Sequence, residues 1–327
     1  MTDIQELAPE TYELPADPAY AHLGAALGDR RDGRVYVHDD RIQWAVKVAQ
    51  ATNRPLLLRG PAGSGKSSLA PFVTRSLKRI FYSTTVQSRT QARDLLYEFN
   101  SLRRLADAQA GDPRARELHR YLEPRPLWWA LDPESARRRG LAPGDPLHDP
   151  ADDAYDPGEG PMEAEPVVLI DEIDKADPDL PNSLLEALGS HQFTVTETDR
   201  RIQATRKPLV IITTNEERDL PAAFLRRCVV LFLPEHERAD LVRIATMHFG
   251  EDEKNLYGLV ADELMRLRKD FKAARRRPPS TAEYLDAVKA CRELGVEPCT
   301  GGAEWTLVVD LTLVKSITGE SIGRASG

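Results

Sequence analysis

Residues 60 to 67 read Gly-Pro-Ala-Gly-Ser-Gly-Lys-Ser, and the apolar run Pro55-Leu56-Leu57-Leu58-Arg59 comes directly before them. A strand, a glycine-rich loop and then a helix form a phosphate site, because backbone N–H groups converge at the N-terminus of the helix. The chain is therefore predicted to bind a nucleoside triphosphate. The residues assigned to this cofactor-binding loop are Gly60, Pro61, Ala62, Gly63, Ser64, Gly65, Lys66, Ser67 and Ser68.

The residue types of the loop match the chemistry of a phosphate site. Glycines allow the backbone to wrap around the β-phosphate, and the Lys66 ammonium neutralises the β- and γ-phosphate oxygens. Ser67 supplies a hydroxyl ligand to Mg²⁺. The alternative is a chance match of a short pattern, but the strand before the loop and the helical pattern of residues 68–73 after it argue against chance.

A second stretch carries two carboxylates at the end of an apolar run. Residues 167–174 read Val-Val-Leu-Ile-Asp-Glu-Ile-Asp. A strand buried on both faces delivers such side chains to the carboxyl edge of a parallel sheet. Asp171 is expected to hold Mg²⁺, and Glu172 to polarise the attacking water. The alternative is a buried strand that runs into an acidic helix cap, but the phosphate loop upstream favours hydrolysis.

Two further candidates follow along the chain. Residues 209–215, Leu-Val-Ile-Ile-Thr-Thr-Asn, predict another buried parallel strand, whose last residue, Asn215, is expected to orient the water or contact the γ-phosphate. The alternative for Asn215 is a turn-forming role. Residues 220–228, Leu-Pro-Ala-Ala-Phe-Leu-Arg-Arg-Cys, open a helix that carries Arg226 and Arg227. One interpretation of this arginine pair is that it is simply the solvated end of a helix.

These motifs, in this order, resemble those of the AAA+ ATPases, and the hairpin pattern before the Asn215 strand resembles the MoxR group within them. The resemblance covers roughly residues 34–290. It implies a P-loop α/β sheet flanked by helices with a C-terminal helical lid, a homo-oligomeric ring expected to be hexameric, and a protein client, such as one with a von Willebrand factor A domain. It also implies an arginine finger at Arg227, with Arg226 as the substitute, whereas the second sensor stays unassigned.

The domain organisation is predicted from changes in composition together with the AAA+ resemblance, which implies the nucleotide-binding domain and the lid. An extended arm (1–33) precedes a nucleotide-binding α/β domain (34–234), which is followed by a helical lid (235–295) and a tail (296–327). An insertion at 111–165 is rich in proline and is expected to have little regular structure, with a solvated acidic run at 148–165. One interpretation of its adjacent tryptophans, Trp128 and Trp129, is that they form part of a surface that grips a substrate. We expect instead that they cover the core where the insertion rejoins the sheet.

Local patterns give further expectations. Residues 35–37 suggest a short strand, residues 90–110 a long amphipathic helix, and residues 193–204 a β-hairpin. Ser280 and Glu283 form the pattern of a capping box at the start of a lid helix.

Composition narrows the class of protein. The chain has 327 residues and a net charge of −8, which argues against a dominant nucleic-acid-binding surface. It has no apolar stretch of membrane-spanning length and no signal-peptide core, so a cytoplasmic location is predicted. Its three cysteines show no metal-ligand spacing.

Two functions of different classes fit these features. The first is an oligomeric, Mg²⁺-dependent ATPase of the MoxR type that remodels a partner protein. The second is the motor of a nucleic-acid-directed system similar to the McrB restriction GTPase, against which stand the acidic charge and the absence of an Asn-Lys-x-Asp guanine signature. A nucleotide switch without turnover is a third option, which Glu172 and Asn215 argue against.

Overall fold

The computed structural model describes residues 33–190, 192–252, 254–298 and 302–315. The predicted N-terminal arm, apart from Gly33, lies outside these residues, as do Cys299 and the chain beyond residue 315. The described residues form two compact units: a sheet unit of residues 39–59 and 69–232, and a helical unit of residues 33–38, 60–68 and 233–315.

The strands follow the apolar runs of the sequence. They are β1 (Leu56–Arg59), β2 (Ile80–Thr85), β3 (Tyr97–Phe99), β4 (Leu122–Pro124), β5 (Pro166–Asp171), β6 (Gln192–Val195), β7 (Arg200–Gln203), β8 (Leu209–Thr214) and β9 (Val229–Phe232). Strands β6 and β7 pair antiparallel, which confirms the predicted hairpin.

A five-stranded sheet in the order β2-β5-β8-β1-β9 is the centre of the sheet unit, and every neighbouring pair in it is parallel. All five strands therefore end at one edge of the sheet. Strands β5 and β8 are buried along their whole length, which explains the apolar runs at residues 166–170 and 209–212 that precede their polar last residues. The predicted fold class, a P-loop parallel sheet flanked by helices with further helices after it, is confirmed.

The helices are α1 (Asp40–Thr52), α2 (Lys66–Ser76), α3 (Ser101–Gln109), α4 (Pro126–Leu131), α5 (Pro133–Arg137), α6 (Leu180–Ser190), α7 (Ala222–Leu225), α8 (Arg238–Phe249), α9 (Leu256–Ala273), α10 (Thr281–Leu294) and α11 (Ala303–Val309). Asp39 caps α1 by accepting a hydrogen bond from the Ile42 N–H. None of the helices in the described ranges combines the length and the apolar character needed to span a bilayer.

The long helix predicted for residues 90–110 is wrong. A 3-10 turn (Ala92–Leu95) leads into β3, which pairs antiparallel with β4, and only then does α3 begin. Leu95, Leu96 and Tyr97 are buried in succession, and three consecutive buried residues do not fit one face of a helix. Asn100 caps α3 by accepting from the Arg103 N–H, and so fixes where the helix starts.

The insertion at 111–165 contains more regular structure than the sequence predicts. Several of its prolines occupy first positions of short helices, where the missing N–H costs nothing. Pro126 opens α4 and Pro133 opens α5, and Pro113 and Pro150 open 3-10 turns.

Trp128 and Trp129 lie in α4 and are fully buried in the core of the sheet unit. The Trp128 indole N–H donates to the Ser135 hydroxyl at 2.8 Å, and its ring meets Phe193 edge to face. Burial of both indoles supports the expected cover over the core and excludes a gripping surface.

The acidic run at 148–165 is bound to the sheet unit rather than solvated. Asp152 pairs with Arg120, Asp153 with His148 at 2.8 Å, and Asp156 accepts from the Tyr82 hydroxyl at 3.2 Å. Glu159 pairs with Phe81 in an antiparallel bridge. This segment therefore covers β2, which is an edge strand of the sheet.

The helical unit has its own apolar core, built from α8, α9 and α10. Residues 303–315, which lie in the predicted tail, add α11 and a π-helical turn (Asp310–Val314), and Trp305 and Leu313 are buried in the same core. The strand predicted at residues 35–37 is wrong, because no strand pairs with this segment in the described chain. Tyr36 instead packs against the phosphate loop at Gly65.

Candidate functional site

The phosphate loop begins at the residue that follows β1. Gly60, Gly63 and Gly65 all have positive φ angles, of 141°, 79° and 85°. A side chain at Gly60 would come within 2.1 Å of the Leu233 carbonyl oxygen, and one at Gly63 within 2.4 Å of the Ser280 Cβ. Both the backbone conformation and the lack of space therefore require glycine at these two positions.

Lys66 is the first residue of α2 and is almost fully buried. Its ammonium donates to the carbonyl oxygens of Gly60, at 2.8 Å, and of Pro61, at 2.7 Å. The positive charge is thus held over the loop. Next to it, the Ser64 hydroxyl is buried and has no hydrogen-bond partner among the described residues.

Asp171, the last residue of β5, is 4% exposed. Its carboxylate accepts a hydrogen bond of 2.5 Å from the Thr213 hydroxyl on β8. The same hydroxyl accepts from the Glu172 backbone N–H at 2.9 Å. One threonine side chain therefore fixes both the first carboxylate and the backbone of the second.

Glu172 adopts a left-handed conformation, with φ 62° and ψ 48°. This conformation turns the chain out of β5 into a 3-10 turn (Ile173–Lys175). One carboxylate oxygen accepts from the Lys175 ammonium at 2.6 Å, and the other accepts from the Asn215 amide at 3.4 Å. The hydrogen bond to Glu172 raises the pKa of Lys175.

A cleft of about 430 Å³ opens beside Glu172, beyond the ends of β2 and β5. Both acidic and basic residues line it, including Glu217 and Arg218. Asp174 also lines the cleft and is 3% exposed; one of its oxygens accepts from the Glu217 N–H at 2.9 Å. Its other oxygen has no hydrogen-bond partner among the described residues.

Arg226 and Arg227 follow α7, and both side chains are exposed. Neither forms an ion pair with another residue of the described chain. The Arg226 carbonyl oxygen accepts from the Arg54 guanidinium at 3.4 Å, so Arg226 is anchored through its backbone. Their guanidinium groups are therefore presented to solvent.

The segment before α10 offers no clear second sensor. The Arg276 guanidinium lies over the Phe271 ring at 5.0 Å, and Arg277 is 4.0 Å from Glu283. Ser280 and Glu283 form the predicted capping box, with both reciprocal hydrogen bonds present. Ser280 is packed against the phosphate loop at Gly63.

The structure brings together, within the sheet unit and at the ends of β5 and β8, the predicted Mg²⁺ ligand Asp171 and two of the residues predicted to be catalytic, Glu172 and Asn215. Sequence reasoning missed Thr213 and Lys175. Lys175 could have been found from local sequence, because in a tight turn the side chain three positions after Glu172 lies over the Glu172 carboxylate. The role of Thr213 depends on the register of β5 and β8, in which Ile170 pairs with Ile212.

The residues present fit a nucleotide and Mg²⁺. The buried, unpartnered Ser64 hydroxyl and the buried Lys66 ammonium provide a donor and a charge for phosphate oxygens. Ser67 and Asp171 are oxygen ligands of the kind that Mg²⁺ takes, since it is usually held by one or two carboxylates together with substrate phosphates.

Comparison with known proteins agrees with the fold. A family model described as AAA domain (dynein-related subfamily) matches residues 55–228, a little over half of the chain. No curated protein matches the chain in sequence.

Solved structures with a similar fold include two of RuvB from Thermotoga maritima. One is a mutant, 14% identical, with 79% of this chain and 69% of that chain covered and a TM-score of 0.40. The other is described as a Holliday junction branch migration motor, also 14% identical, with 79% and 68% covered and a TM-score of 0.37. These two similarities are too weak to carry an argument. On the extent of the family match, the chain belongs to the AAA family of ATPases, in the group described as dynein-related.

Proposed function

We propose that this AAA protein hydrolyses ATP with Mg²⁺ and acts as an oligomeric motor of the MoxR type that remodels or activates a partner protein. The proposed assembly is a homo-oligomeric, hexameric ring in the cytoplasm, and a client with a von Willebrand factor A domain is the partner that the resemblance suggests. The observation that carries this proposal is the Glu172 carboxylate, held beside Asn215 and one residue after the buried Asp171.

Each of these residues has a step in hydrolysis. Lys66 neutralises the phosphate oxygens, and Ser67 and Asp171 hold Mg²⁺, which when bound withdraws charge from the same oxygens. Glu172 accepts a proton from the attacking water while the water oxygen bonds to the γ-phosphorus and the bond to the β–γ bridging oxygen breaks. Asn215 orients this carboxylate and the water.

Assembly is proposed because of the arginines after α7. An arginine stabilises the charge that develops on the transferred phosphoryl group, and it can be supplied by a neighbouring molecule. Arg227 is exposed and forms no ion pair with another described residue, which supports a role toward a second copy. Arg226 shares the exposure, so it is both the alternative finger and the matched control.

Mixing inactive variants tests the proposal. Arg227→Ala is expected to bind ATP normally but to hydrolyse it roughly 10³-fold more slowly, because only the finger is lost. Lys66→Ala is expected to lose ATP binding while its own Arg227 stays intact. A mixture of the two should regain part of the ATPase activity, since each Lys66→Ala subunit can supply a finger to a neighbour with an intact nucleotide site. Arg226→Ala is expected to hydrolyse ATP at close to the parent rate.

Size-exclusion chromatography is the control for assembly in the mixture. If the variants assemble together and the mixture stays inactive, or if activity per subunit stays the same from dilute monomer upward, the ring motor is wrong. If Arg226→Ala hydrolyses ATP slowly and Arg227→Ala is normal, Arg226 is the arginine finger and the proposal of a ring still stands.

A further inference from the structure

Lys175 is the closest charged neighbour that the structure gives the proposed catalytic base. Its ammonium lies 2.6 Å from one Glu172 carboxylate oxygen, with 41% of the Lys175 side chain and 27% of the Glu172 side chain exposed. On the other carboxylate oxygen, the Asn215 amide is 3.4 Å away, which is long for a hydrogen bond. Of the two contacts, the one with Lys175 is therefore the stronger.

The local backbone builds this ion pair. Glu172 turns out of β5 with a positive φ, and the Lys175 N–H then donates to the Glu172 carbonyl oxygen at 3.0 Å. This turn brings a side chain three residues later back over the carboxylate. Lys175 also stands near Asp174 and Glu217 on the wall of the cleft, yet its hydrogen bond goes to Glu172.

We propose that Lys175 is a positioning residue for ATP hydrolysis, which holds the Glu172 carboxylate in the orientation that receives the proton of the attacking water. This inference rests on the proposed function. An ionised carboxylate has about four lone-pair sites, so one bond to an ammonium leaves others for the water. Without Lys175, the partly exposed Glu172 side chain keeps only the long contact with Asn215 and populates orientations that do not face the water.

The loss of orientation affects the chemical step and leaves ATP binding unchanged. Lys175→Met, which keeps the length of the side chain and removes the charge, is expected to lower kcat about tenfold, within the usual contribution of a positioned base, and to leave KM for ATP within about twofold. Lys175→Arg is expected to recover most of the lost turnover because it restores a cation.

A double-mutant cycle tests whether Lys175 acts through Glu172. Glu172→Gln alone should lower kcat by at least about a hundredfold. Adding Lys175→Met to Glu172→Gln should cause no further loss, because no base remains to be positioned. The matched control is Lys272→Met, which breaks an exposed 2.8 Å ion pair with Glu235 in the helical unit and should leave kcat unchanged.

Several outcomes would overturn the inference. Parental turnover in Lys175→Met would show that the ion pair does not position the base, and faster turnover would show that Lys175 restrains it. A further loss in the double variant, as large as in the single one, would show an action independent of Glu172. If Glu172→Gln itself turns over at the parent rate, the base assignment in the proposed function fails; if only Lys175→Met is normal, that assignment stands. The melting temperature and the affinity for a fluorescent ATP analogue show whether each variant is folded.

Discussion

Replacing Thr213 by valine tests how the two carboxylates are held at the edge of the sheet. Thr213 is 1% exposed, and its hydroxyl makes two hydrogen bonds: it donates to the Asp171 carboxylate at 2.5 Å and accepts from the Glu172 N–H at 2.9 Å. Valine has nearly the same shape but no hydroxyl, so both groups lose this partner.

The expected cost follows from the nature of the two bonds. A hydrogen bond to an ionised group contributes roughly 1.5–3 kcal/mol, and a buried N–H without its acceptor costs about 1–3 kcal/mol. Because the Glu172 N–H is only partly buried, we expect Thr213→Val to lower the free energy of unfolding by about 2–4 kcal/mol. Thr214→Val is the matched control: Thr214 is equally buried but accepts a single hydrogen bond, from the Glu216 N–H at 3.0 Å, so its loss should cost about 1 kcal/mol.

Urea unfolding followed by tryptophan fluorescence measures both variants. In a Trp305→Phe background, the remaining tryptophans, at positions 44, 128 and 129, all lie in the sheet unit, so the signal reports its unfolding. Thr213→Ser, which keeps the hydroxyl, should recover most of the lost stability. Equal costs for Thr213→Val and Thr214→Val would refute the argument, because they would mean that the bond to Asp171 adds nothing to the loss of one backbone N–H bond.

Two further predictions concern the phosphate loop and the buried thiols. Gly63→Ala should lower the affinity for a fluorescent ATP analogue by about tenfold, since a residue with a side chain at φ 79° costs about 1–2 kcal/mol and its Cβ would meet Ser280. The control is Gly144→Ala, at φ 75° with open space around it, which should leave the affinity unchanged. Equal affinities of the two variants would contradict the packing argument. Burial raises the pKa of Cys228 to about 12 and that of Cys291 to about 11, so at pH 8 both thiols stay protonated. In a Cys299→Ser variant, thiol labelling by Ellman's reagent should therefore be slow in buffer and fast in urea, and rapid labelling of the folded protein would show that the cysteines are not buried.

The features that could be predicted from the sequence are those that a short segment determines. The loop at 60–68 carries its own signature. Strands β5 and β8 are recognisable as apolar runs because both are buried along their whole length, and each run is followed by polar residues. Parallel strands end at one edge, so Asp171, Glu172 and Asn215 could be placed together without coordinates.

The features that escaped prediction depend on contacts between distant segments. Residues 90–110 have helical composition, but two contacts with distant segments interrupt the helix. The Tyr97 ring packs in the core near Phe193 and Trp128, and β3 pairs with β4. The acidic run at 148–165 has the composition of a solvated segment, and its partners, among them Arg120 and Tyr82, are far away in sequence. A charge run is a reliable sign of a solvated segment only when no opposite charges or donors fold onto it.

The site near the ends of β5 and β8 couples two different tasks through single side chains. Thr213 joins the side chain that would hold Mg²⁺ to the backbone of the residue that would act as base, whereas Lys175 contacts the base alone. The two substitutions should therefore separate the tasks. Thr213→Val should raise the Mg²⁺ concentration needed for half-maximal ATPase activity and should also lower kcat, because Asp171 and Glu172 both lose their bond to this side chain. Lys175→Met should lower kcat at an unchanged Mg²⁺ requirement, since Asp171 keeps its bond to Thr213.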